Sequence, residues 1–92
     1  MAYSRAVQNS IATSPKSLGN QLGRWAVHLD MPVAKLSMAT GATRQTLYNW
    51  FGGGTVTNAY RERVQDVLDI LRTSPTAEAA WRKLCLKFDL KG

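Results

Sequence analysis

Apolar residues recur at spacings of three and four along most of the chain, the signature of amphipathic helices packed on one side. Leu18, Leu22, Trp25, Ala26 and Leu29 form one such stripe. Tyr60, Val64, Val67, Leu68 and Leu71 form a second, and Ala80, Trp81, Leu84, Cys85 and Phe88 a third. Ser14-Pro15 and Ser74-Pro75 are read as starts of the first and last of these helices, with Ser as the cap and Pro at a position that needs no donor. Thr57 or Asn58 caps the one between. Pro32 disfavours helix at Met31 and opens a short segment, Val33 to Thr40. Gly19 and Gly23, four apart, either admit another helix closely or simply weaken their own. Residues 1–13 carry only Val7 and Ile11 at helical spacing, which suits a short docked helix or an arm. A groove-reaching arm would have Arg5 as its sole cation. The pattern implies an all-α, compact bundle of about five helices. Residues 14–73 form the main domain and 74–92 a further helix.

The most informative stretch is LSMATGATRQTLYNWFGG, from Leu36 to Gly53. It reads as two short helices joined by a tight turn. Gly41 accepts the left-handed conformation with which helices often end, and Thr43 is a good N-cap. Leu47 and Trp50 share the inner face of the second helix. The outer residues, Arg44, Gln45, Tyr48 and Asn49, carry hydrogen-bonding groups. Arg pairs bidentately with guanine, and Asn and Gln with adenine, so this face suits the reading of base edges in a major groove.

Leu36, Ser37, Gly41, Thr43, Leu47, Trp50 and the following Gly52 to Gly54 resemble the helix-turn-helix of the Cro and C1 (lambda-repressor-like, XRE) family. The resemblance spans roughly residues 16–72. Ser37 stands where Ala is more usual in that pattern, and the run TLYNWF with its Tyr48 and Phe51 also resembles the recognition helix of TetR-type regulators. The resemblance implies a helix-turn-helix fold, base contacts from Arg44, Gln45 and Asn49, and a small phage or mobile-element repressor.

Composition and charge narrow the field. The chain has 92 residues, 45% of them apolar, and a net charge of +6. That is one modest domain, able to bury about 60–65% of its unfolded surface. No acid lies between Asp30 and Glu62, and the whole motif falls inside that window. A surface that meets phosphates must lack carboxylates. One Cys and one His, Cys85 and His28, build neither a disulfide nor a metal site. Paired carboxylates and a Ser/His/Asp pattern are missing, so the expectation is no enzyme, no metal, no cofactor and no small-molecule ligand. With no apolar run suited to a membrane span or a signal peptide, a cytoplasmic place in a bacterial cell or phage-infected host is expected.

The functional expectation is a sequence-specific DNA-binding transcriptional regulator that reads a palindromic operator with the helix at 43–51. Arg44, Gln45, Tyr48 and Asn49 would meet bases. Lys35, Thr43, Thr46, Thr55 and Arg61 would meet phosphates, which set register rather than sequence. The triple glycine is either a flexible connector or a loop that brings its amides to a phosphate. Arg61 and Arg63 lie early in their helix, where the dipole disfavours cations. Apolar residues cover much of the last helix, so Trp81, Leu84 and Phe88 are read as a homodimer interface, with closure of the monomer's own core as the other use of that stripe. A different class of function is a helical protein-interaction module, antitoxin-like or an assembly adaptor, working through that last helix.

Overall fold

The computed structural model describes residues 2–90; Met1, Lys91 and Gly92, at the outer ends of the first and last sequence segments, lie outside the described residues. Six helices follow one another: α1 (Arg5–Thr13), α2 (Leu18–Leu29), α3 (Val33–Thr40), α4 (Arg44–Phe51), α5 (Asn58–Thr73) and α6 (Ala77–Phe88). The described residues contain no strand, in keeping with the all-α reading, and the helix count is six rather than five. The added element is α1. Ser4 caps it through a side-chain acceptor for the Val7 amide, and Ile11 is buried while Val7 packs against the core. Among the described residues no helix is long and apolar enough to cross a membrane.

Both Ser-Pro pairs end helices instead of starting them. Ser14 is the C-cap of α1 and Ser74 that of α5. Each Ser hydroxyl donates back into its helix, to the carbonyls of Ser10 and Ile70, both at 2.6 Å. Proline just past a helix end is as natural as proline just inside a helix start. The following helices are capped two or three residues later, by Ser17 and Thr76, whose hydroxyls accept the amides of Asn20 and Ala79.

Helix α2 lies at the centre. It packs on α1, α4 and α5, and Leu22 and Ala26 carry no exposed surface. Gly19 and Gly23 are the points of closest approach to α4. A Cβ at Gly19 would lie 2.9 Å from both the Cα and the carbonyl oxygen of Trp50, and at Gly23 it would lie 2.8 Å from the Phe51 ring. The glycines therefore serve a close helix crossing.

Asn20, between them, is fully buried. Its amide donates to the carbonyls of Ile11 (3.0 Å) and Phe51 (2.7 Å), and its oxygen accepts from Arg24 Nε at 2.6 Å. Arg24 also donates to the carbonyls of Ala12 and Ser14. One polar chain thus satisfies the ends of α1 and α4 together.

On the other side, Arg63 of α5 donates to the Ala39 carbonyl at 2.6 Å and lies 4.1 Å from the centre of the Phe88 ring. That contact accounts for a cation early in α5: it sits on the end of α3, where helix carbonyls favour positive charge.

Gly19→Ala tests the crossing. On an exposed helix position the change would stabilise by about 1 kcal/mol through propensity. Here it should destabilise by roughly 1–3 kcal/mol through overpacking against Trp50. Urea unfolding of the two chains gives the sign.

Candidate nucleic-acid interface

Helices α3 and α4 are joined by Gly41 and Ala42, with Thr43 as the N-cap of α4. Gly41 adopts the left-handed conformation, φ 78°, as its sequence position suggests. Three hydroxyls stiffen this turn. Thr43 accepts the Thr46 amide at 3.2 Å and donates to the Thr46 hydroxyl at 3.0 Å. The buried Thr40 donates to the Leu36 carbonyl and accepts the Ala42 amide. Ser37 donates to the Ala42 carbonyl at 2.6 Å. The departure from Ala at position 37 thus adds a hydrogen bond across the turn.

Helix α4 is divided lengthwise. Leu47, Trp50 and Phe51 are buried. Trp50 meets the Tyr60 ring edge to face at 5.3 Å, and Phe51 meets Tyr48 at 6.0 Å. Arg44, Gln45, Tyr48 and Asn49 are all exposed and share the outer side. Gln45 Nε2 donates to Asn49 Oδ1 at 3.5 Å. That bond does not use the Asn49 amide protons or the Gln45 oxygen, a donor and an acceptor on residues one helical turn apart.

The remaining sequence-derived site residues are more scattered. Thr43, Thr55 and Arg61 are exposed. Thr46 is half-buried, its hydroxyl engaged by Thr43. Lys35 is half-buried, with its ammonium 5.3 Å from the centre of the Trp81 ring. It remains at the edge of the α3–α4 unit but is partly committed to α6.

The triple glycine has a structural explanation. The amides of Gly52, Gly53 and Gly54 donate to the carbonyls of Tyr48, Trp50 and Asn49, at 2.9–3.1 Å. They close the end of α4 on itself, so they are not free for a phosphate, and the loop is a defined turn, not a flexible connector. A Cβ at Gly54 would stand 2.7 Å from the Asn49 carbonyl, which keeps that position glycine. Val56, two residues further on, is buried in the core.

The last helix is mostly spent within the monomer. Leu84 has no exposed surface, and Trp81 and Phe88 pack against the same core. Of the three residues read as a dimer interface, Leu84 is therefore out of a partner's reach, and the other two offer only their outer edges. The apolar residue left outside is Leu86, 83% exposed, flanked by Arg82, Lys83 and Lys87.

Charge follows the same division. Residues 1–61 hold six Lys and Arg against one acid, Asp30, and residues 62–92 hold six against five. Glu62, Asp66 and Asp69 recur at helical spacing on α5, away from its buried stripe of Val64, Val67, Leu68 and Leu71. Asp69 is joined there by Gln65 at 3.1 Å and Arg72 at 3.9 Å.

No family model, no curated protein and no solved structure matches this chain. The candidate interface thus rests on the geometry and chemistry of the chain itself.

Ser37→Ala removes the bond to Ala42 while leaving the helix propensity of α3 improved. A net loss of about 1 kcal/mol is expected, the usual worth of one such hydrogen bond. Thermal unfolding monitored by circular dichroism measures it, and an unchanged or raised midpoint would show that the bond contributes nothing.

Proposed function

We propose that the chain is a sequence-specific DNA-binding protein of helix-turn-helix type, with α3 and α4 as the motif and α4 as the reading helix. The observation that carries this reading is the division of α4. Its inner side is locked by Leu47, Trp50 and Phe51, and its outer side offers Arg44, Gln45, Tyr48 and Asn49 together. Such a helix has the donors and acceptors that distinguish base pairs in the major groove. The acid-free run from residue 31 to 61 supports the same reading, because approach to a duplex is dominated by phosphate charge.

In this reading Thr43, Thr55, Arg61 and the ammonium of Lys35 meet phosphates. The first-turn amides of α3 and α5 join them, since neither Pro32 nor Thr57 supplies a side-chain cap. Thr46 contributes through Thr43, which it braces. A repressor of phage or mobile-element type is the biological form that the sequence resemblance suggests.

A homodimer on a palindromic operator belongs to the proposal. Because Leu84 is buried, the proposal takes the outer side of α6, around the exposed Leu86, as the contact between copies. Half-sites would then lie about 10 bp apart, centre to centre, or a multiple of that. The second reading, a protein-interaction module working through α6, is favoured by Leu86, the large apolar side chain that α6 leaves exposed.

Selection of duplexes from a random pool, followed by titration of the winner at several salt concentrations, tests the proposal. Log affinity should fall linearly with log salt, by about 0.9 for each phosphate neutralised. Absence of duplex binding at low salt would leave the interaction module as the better reading. Gln45→Ala should weaken the selected site by about 1–3 kcal/mol and relax one base position. A mutant that selects the same site with the same affinity would remove Gln45 from the reading set.

A further inference from the structure

The segment before α1 is not an arm. Ala2 donates its amide to Asp30 Oδ1 at 2.6 Å, and the Tyr3 carbonyl accepts from Gln8 Nε2 at 2.9 Å. Between these anchors the Tyr3 side chain is buried, 4% exposed. Its ring meets Phe51 edge to face, with centroids 6.2 Å apart at 67°. Phe51 in turn rests on Gly23 and meets Tyr48 at 6.0 Å and 87°. Three rings therefore run in series from the start of the chain to the exposed side of α4.

Tyr3 is an odd residue for a plug. Its hydroxyl is buried with no hydrogen-bond partner among the described residues. Burial raises the phenol's pKa well above its ordinary range, and Tyr48 and Asp30 add to that rise. A buried hydroxyl without a partner costs stability. What holds Tyr3 in place is thus its ring and the two backbone anchors of the strap.

We propose that Tyr3 is a positioning residue for the reading face: through Phe51 it sets where Tyr48 stands on α4. The geometry has the elements this needs. Phe51 cannot retreat, because α2 approaches it at Gly23 so closely that even a methyl group would collide. Tyr48 is 39% exposed, so one side of its ring packs while the other remains open to a ligand. Removing Tyr3 would open space beside Phe51 on the side where the two rings meet. Phe51 would shift into it and Tyr48 would follow, in a part of the molecule where edge-to-face contacts fix ring orientation. The side chain at position 3 would then influence base recognition without touching DNA. This inference rests on the DNA-binding reading for its functional consequence, whereas its structural content stands on the three rings alone.

The test uses the full chain with Tyr3→Phe, Tyr3→Leu and Tyr3→Ala, and two readouts. The first is the set of ring-proton resonances of Tyr48 and Phe51 in the free protein. Tyr3→Phe should leave them in place and raise the unfolding midpoint, because it discards only the unpartnered hydroxyl. Tyr3→Leu, which keeps bulk without a ring, and Tyr3→Ala should both displace them. The second is affinity for the selected duplex and for a duplex of random sequence. Tyr3→Leu should lose about tenfold on the selected duplex, the order of a coupling carried through packed side chains. It should lose little on the random one, and Tyr3→Phe should behave as the native chain on both.

Unmoved Tyr48 resonances in a folded Tyr3→Leu protein would overturn the proposal. Equal losses on the two duplexes would do the same, since they would mean a general loss of fold. If the native chain binds no duplex, the functional reading fails while the ring resonances still decide whether Tyr3 sets Tyr48.

Discussion

The close crossing of α2 over the end of α4 is the constraint around which the rest is arranged. Two glycines allow the backbones to meet, and Asn20 between them fastens the meeting point. A buried amide is costly unless every group it carries is satisfied. Here the donor reaches the carbonyls of Ile11 and Phe51, and the acceptor takes Arg24. The same side chain therefore closes α1, braces α2 and terminates α4. Its contribution to the proposed reading face is indirect: it pins the end of α4 in the orientation that keeps Arg44, Gln45, Tyr48 and Asn49 outward.

Around that fixed point each short connection has a physical task. The α3–α4 turn is held by hydroxyls at positions 37, 40 and 43. The glycine turn after α4 spends its amides on the carbonyls of Tyr48, Asn49 and Trp50. Arg63 joins the end of α3 to α6 through a carbonyl and an aromatic ring. An eight-residue helix is far too short to persist alone in water. Helix α4 persists because its neighbours hold both of its ends and cover Leu47, Trp50 and Phe51, which leaves Arg44, Gln45 and Asn49 without a packing duty. Residues without such duties are the ones that can be given over to recognition.

Much of this was legible in the sequence. Period-three and period-four stripes located α2, α5 and α6. Gly41 and Thr43 placed the turn to the residue, because a left-handed cap and a hydroxyl cap each have few substitutes. The outer residues of α4 followed from Leu47 and Trp50. Other features were hidden for definite reasons. Helix α1 has a weak apolar stripe, and what holds it is its packing on α2 with Ile11 buried. Ser-Pro marks a helix start or a helix end equally well, and only the following caps at Ser17 and Thr76 decide between them. The roles of Asn20, Arg24 and Arg63 leave no local signal, because their carbonyl partners lie far along the chain or in another helix; the one trace is the position of Asn20 between two glycines. The apolar surplus on α6 was overstated, since Trp81, Leu84 and Phe88 face α3 and α5 across distances in sequence that periodicity does not register.

The central claim is that the outer side of α4 is a duplex-reading surface and the acidic outer side of α5 is not. The most direct measurement is a map of backbone amide shifts as the selected duplex is titrated into labelled protein. The largest changes are expected at residues 43–49 and around Thr55 and Arg61, with Glu62, Asp66 and Asp69 little affected. Changes centred on Leu86 and its basic neighbours, with α4 unmoved, would contradict it.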